Sequence, residues 1–90
     1  MEVGLSVHGP LAGKVFRLDT TIQLQPGSTL ADLLTEAGQQ VGMDMLEIIR
    51  EEISRPVVML HGEALTMPDD LTHPLADGDE VVILQALAGG

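Results

Sequence analysis

The sequence predicts an α+β domain, a mixed sheet of four to five strands packed on one main helix, with a short second helix. Three observations predict it. Apolar and polar residues alternate over two early segments, an apolar stripe at helical spacing follows, and two continuous apolar runs lie in the second half of the chain.

The first alternation runs from Glu2 to Val7, where Val3, Leu5 and Val7 share one parity, the pattern of a strand buried on one face. His8 to Gly13 holds two glycines and a proline, a turn composition. In the second alternation Phe16, Leu18, Ile22 and Leu24 oppose Arg17, Asp19, Thr21 and Gln23, so a hairpin is the simplest fit. Pro26-Gly27-Ser28 closes it. Thr29 with Asp32 three residues on fits a capping box, which places a helix start near Leu30. Leu30, Leu33, Leu34, Ala37 and Val41 form one stripe able to lie across the hairpin, and Gly38 or Gly42 ends the helix.

Asp44 is placed to cap a second, shorter helix carrying Met45, Leu46, Ile49 and Ile53, with Glu47, Glu51 and Glu52 toward water. Pro56 stops it. Val57 to Leu60 reads as a central strand covered on both faces, His61-Gly62 as a turn, and Glu63 to Leu65 as a brief segment. Met67 to Pro74 reads as an irregular connection anchored by Leu71 and Leu75. Asp77-Gly78 makes a tight turn into a last strand, Val81 to Leu84. The first and last strands are expected to pair in the middle of the sheet. The expected organisation is a folded body over residues 1–85 and a flexible tail over residues 86–90.

Composition narrows the function. Ninety residues hold one small domain, and 44% apolar content supports a core built without aromatics, since Phe16 is the only one. A net charge of −10 repels phosphate backbones, and the chain lacks Trp and Tyr for stacking bases, so nucleic acid is not an expected partner. The charge either steers the domain toward a basic protein surface or reflects an acidic proteome or colloidal stability alone, two readings that composition leaves open. With no cysteine, disulfides, thiolate metal sites, iron–sulfur clusters and cysteine nucleophiles are excluded. Neither a secretion signal nor an apolar run of the ~20 residues that span a bilayer is present, so no membrane role is expected and the cytoplasm is the expected compartment.

Candidate catalytic residues are sparse. His8, His61 and His73 fall in three separate segments without metal-ligand spacing, so no metal site is expected. Ser6, Ser28 and Ser54 lack a nucleophile-elbow context, and the glycines at 9, 13, 27, 38 and 42 form no phosphate loop. Met43, Met45, Met59 and Met67 read as core filling. The chemistry is therefore expected in the tail. Gly89 and Gly90 have no Cβ, so the chain end fits a channel too narrow for side chains. Ala86 to Gly90 spans about 17 Å when extended at roughly 3.3 Å per residue, enough to reach a buried active site while the body stays outside. The Gly90 carboxylate is an anion at neutral pH and a poor electrophile until its oxygen is made a leaving group, as adenylation by ATP does.

The run Leu75-Ala76-Asp77-Gly78-Asp79-Glu80-Val81-Val82-Ile83-Leu84, followed by Gly89-Gly90, resembles the C-terminal half of the small sulfur carriers of the ubiquitin-like β-grasp fold. These include the molybdopterin synthase small subunit and the thiamine-pathway sulfur carrier. Thr29 to Leu34 looks like that family's first helix and Val57 to Gly62 like its strand and turn, so the likeness extends over essentially the whole chain. Length, with the insert from Gly42 to Arg55, looks closer to the molybdopterin branch. His61 stands where the family often has Asn, and Gln85 to Ala88 lacks the prolines frequent before its tail.

The resemblance implies a sulfur carrier, not an enzyme on its own and at most the non-catalytic small subunit of a sulfurtransferase complex. An E1-like enzyme using ATP would adenylate Gly90. A persulfide donor would convert it to a thiocarboxylate, and a synthase large subunit would take the sulfur for molybdenum cofactor biosynthesis. No cofactor is held permanently. Gly89, Ala88 and Leu87 would give access, with Leu87 and the exposed apolar face of the last strands touching the partner. Thiazole synthesis, conjugation of Gly90 to lysines of other proteins, and a plain interaction domain are the alternatives.

Overall fold

The computed structural model describes residues 1–11, 14–50, 56–67 and 69–84. Strands β1 (Glu2–Leu11) and β2 (Lys14–Gln23) form an antiparallel hairpin, helix α1 (Leu30–Val41) and helix α2 (Met45–Arg50) follow, and strands β3 (Val57–Leu60), β4 (Glu63–Ala64) and β5 (Glu80–Leu84) complete a sheet of order β2-β1-β5-β3-β4. β5 runs parallel to β1 and antiparallel to β3, so the first and last strands pair at the centre as expected. This is the ubiquitin-like β-grasp architecture.

The hairpin is longer than the alternation alone suggests. Leu11 pairs with Lys14, which draws His8-Gly9-Pro10 into β1. Glycine and proline there read as a turn, yet Pro10 lies beyond His8, the last β1 residue paired with β5, where a missing N–H breaks no ladder bond on that side.

α1 begins as its capping box requires: the Asp32 amide donates to the Thr29 hydroxyl, and the Thr29 amide donates to the Asp32 carboxylate at 2.9 Å. It runs through Gly38 and ends at Gly42, whose φ of 74° is the left-handed conformation that glycine adopts without a Cβ penalty. Gly38 serves packing. A Cβ there would lie 2.4 Å from the Met43 carbonyl oxygen, so the entry to α2 passes directly over it. Asp44 caps α2 by accepting from the Glu47 amide at 3.1 Å. The expected continuation through Glu51, Glu52 and Ile53 lies outside the described residues.

Leu30, Leu33, Leu34 and Ala37 of α1 meet Val3, Leu5, Val7, Ile22, Val58, Leu60, Val81 and Ile83 of the sheet in one core, which Met45, Ile49, Leu71 and Leu75 extend. Leu71 and Leu75 are thus anchors of the connection after β4, which carries a short 3-10 turn over Asp69–Thr72. No described helix is long and apolar enough to cross a membrane.

Two expectations are corrected here. β3 is not covered on both faces: Val58 and Leu60 are buried, whereas Val57 is exposed and Met59 only partly covered. Its unbroken apolar run supplies a core face and an apolar outer face together. Met59 therefore belongs to the outer face and is not core filling, while Met45 is buried.

Candidate functional site

The expected site residues Leu87, Ala88, Gly89 and Gly90 lie outside the described residues, as does the boundary between body and tail. What is described is the platform that leads to them. β5 ends at Leu84, which stands opposite His8 of β1 on one side and Val57 of β3 on the other, so the chain reaches residue 85 from the middle of the sheet.

The strand registers assemble an outer face opposite α1. Residues directly across from each other point the same way. Val82 is across from Ser6 and Met59, and Leu84 from His8 and Val57, which gives an apolar strip of Val57, Met59, Val82 and Leu84. Val57 is 47% and Leu84 39% exposed, two of the most exposed large apolar side chains described, and they sit side by side where β5 ends. This matches the expected exposed apolar face of the last strands.

Beside the strip lies a polar cluster. Ser6 donates its hydroxyl to Asp19 at 2.6 Å, and His8 Nε2 approaches the same carboxylate oxygen at 3.4 Å. The Ser6 hydrogen bond, with a smaller contribution from His8, holds the Asp19 carboxyl below the usual aspartate range. Both partners converge on one carboxylate oxygen and the histidine does not bridge to the serine, so this is no nucleophile–base pair. A cleft of about 350 Å³ crosses the sheet here, lined among others by Gly4, Ser6, Asp19, Thr21, Glu80 and Val82. Glu80 and Asp19 make it acidic. Sequence reasoning did not find this cluster, because it depends on the register of a hairpin whose turn looks four residues earlier than it is.

The far end of β5 is held by a second histidine. His61 adopts φ 50°, the left-handed conformation that asparagine tolerates more readily than most residues with a Cβ. Its Nε2 lies 2.7 Å from Asp79 Oδ1, while Asp79 Oδ2 accepts from the Ala76 amide at 2.8 Å. The Ala76 amide first, and His61 second, lower the Asp79 pKa. His8 and His61 therefore serve separate carboxylates at opposite ends of β5. Among the described residues no three His, Asp or Glu side chains gather as metal ligands would.

A family model described as ThiS family matches residues 10–90. Among solved structures, SAMP1 from Haloferax volcanii aligns over 100% of both chains at 16% identity with a TM-score of 0.65. The Haloferax volcanii HVO 2177 protein aligns at 22% identity and a TM-score of 0.65, covering 100% of this chain and 87% of its own. A chain of the complex of subunits 1 and 2 of molybdopterin-converting factor from Helicobacter pylori 26695 aligns over 100% of both chains at 21% identity with a TM-score of 0.53. Among curated proteins nothing matches.

Proposed function

We propose, since this chain belongs to the ThiS family, that it is a sulfur carrier whose reacting group is the Gly90 carboxylate. An E1-like enzyme joins that carboxylate to the AMP of ATP with release of pyrophosphate, and the sulfur of a persulfide donor then displaces AMP from the carbonyl. Cleavage of the resulting S–S bond by a reducing thiol leaves the thiocarboxylate. The chain contributes no side chain to these steps. It presents Gly90 on an arm, residues 86–90, from a body of residues 1–85, and Leu87, Ala88 and Gly89 line the way into the partner's channel.

One observation carries the reading: β5, a central strand of a β-grasp sheet, leads toward the stretch that holds Gly89-Gly90. The lack of cysteine supports it, because no internal thiol competes for the activated carbonyl. The acceptor is molybdopterin precursor held by a synthase large subunit, supported by the likeness to the molybdopterin-converting factor complex and by the apolar strip beside Leu84. ATP is used by the activating enzyme, and this chain retains no cofactor. The reactions take place in the cytoplasm.

Incubating the protein with its activating enzyme, ATP and a persulfide donor should raise its intact mass by the difference between sulfur and oxygen. Deleting Gly89 and Gly90 should abolish the change. An unchanged mass under conditions that convert another carrier of the family would overturn the proposal, and isopeptide adducts on lysines in its place would assign the tail to protein modification.

A further inference from the structure

The outer edge of β2 has the form of an interface with itself. β2 is ten residues long and terminates the sheet, and among the described residues no strand pairs with its outer side. Natural edges are usually blunted by proline, glycine bulges or short length, yet the segment from Val15 to Gln23 has no proline or glycine and includes the β-branched Val15, Thr20, Thr21 and Ile22. Val15 is 81% exposed.

The direction of the free backbone groups follows from the hairpin. Met1 and Leu24 exchange both main-chain bonds, at 2.7 and 2.9 Å, so the even-numbered residues of β2 aim their N–H and C=O groups at β1. The odd-numbered residues, Val15, Arg17, Asp19, Thr21 and Gln23, aim theirs outward. They are also the residues on the sheet face opposite α1.

We propose that a second copy of this chain pairs with β2 antiparallel across a two-fold axis at Leu18. In this register Arg17 stands opposite Asp19 of the second copy, Asp19 opposite its Arg17, and Val15 opposite its Thr21. Outward-facing residues meet outward-facing residues, which permits about eight main-chain hydrogen bonds. Charge selects the register. A shift by one pair in either direction sets Arg17 against Arg17 or Asp19 against Asp19, whereas the proposed alignment makes two opposite-charge pairs on the same face. Asp19 keeps 70% of its side chain exposed beside Ser6 and His8 and has room to accept. The same register brings the start of the second β2, with Lys14, opposite Ile22.

Edge pairing buries less surface than a standard stable interface, and each copy carries a charge of −10, so the dimer is weak and is measured at about 0.15 M salt, where repulsion beyond roughly 8 Å is screened while contact pairs persist. Sedimentation of the full chain should show reversible association with rising concentration. Arg17→Asp and Asp19→Arg should each weaken it about tenfold or more, since each turns two attractive pairs repulsive, and the two substitutions together should restore it. Circular dichroism verifies that the variants fold. The chain has no cysteine, so Leu18→Cys introduces a single thiol at the axis, where opposed Cα atoms are about 4.5 Å apart, and oxidation should link two copies. Thr20→Cys, displaced along the strand, should not link. A chain that stays monomeric throughout, a dimer indifferent to either single charge change, a double variant as weak as the singles, or equal cross-linking at both cysteines would each overturn the proposal.

Discussion

Gly38 shows how one missing side chain can fix the relation of two helices. Glycine costs an α-helix interior about 1 kcal/mol relative to alanine, so by propensity alone Gly38→Ala should stabilise α1. The space above it decides otherwise. A methyl group 2.4 Å from the Met43 carbonyl and 3.1 Å from the Met45 amide meets backbone, which cannot rotate away as a side chain would. Gly38→Ala is expected to lower unfolding free energy by about 2 kcal/mol, measured by urea denaturation. His61 is the opposite case, a residue with a Cβ holding a left-handed conformation. His61→Asn is expected to preserve stability at neutral pH within about 0.5 kcal/mol, because asparagine bears that conformation more readily while losing the reach to Asp79.

At the scale of the element, α1 is held at its start by Thr29 and Asp32, and Thr29 also bridges to Pro74, which ties the helix to the segment before β5. Thr29→Ala should cost about 1 kcal/mol, read as a lower melting temperature, whereas Thr29→Ser should restore most of it. This helix was legible in the sequence from its cap and its stripe, since both are local. The central pairing of first and last strands and the Leu71 and Leu75 anchors were legible as well. The hairpin turn was not. Gly9 and Pro10 carry turn chemistry, but ten paired residues on each side decide the register, and pairing is a tertiary effect. The double apolar content of β3 was visible, while its cause was not: a strand covered on both faces and one with an exposed apolar face read alike until one face is seen open. The Ser6, His8 and Asp19 cluster was the least visible, because β1 and β2 bring it together only through their register.

Over the whole molecule, acid should erode stability through particular carboxylates. Asp79 and Asp19 both have folded-state pKa values below their ordinary range, Asp79 chiefly from the Ala76 amide and Asp19 chiefly from the Ser6 hydroxyl. The unfolded chain therefore binds more protons than the folded one as pH drops past the ordinary aspartate value of about 3.9. Their contribution is complete above that range and disappears as pH falls through the lowered folded values. Asp79→Asn should be less stable at pH 7 and show a shallower acid limb in denaturation measured from pH 6 to pH 2. A parallel limb for variant and parent would show that the contacts of Asp79 do not drive it.

The placement of β5 also bears on mechanical load. Any machine that grips the chain beyond Leu84 and pulls along the strand must slide β5 against β1 and β3 at once, because its hydrogen bonds lie across the direction of pull. Ladders loaded in this way share the force over all their bonds, whereas a strand pulled across its own axis opens one bond at a time. A load applied along β5 is therefore shared by the two ladders that flank it.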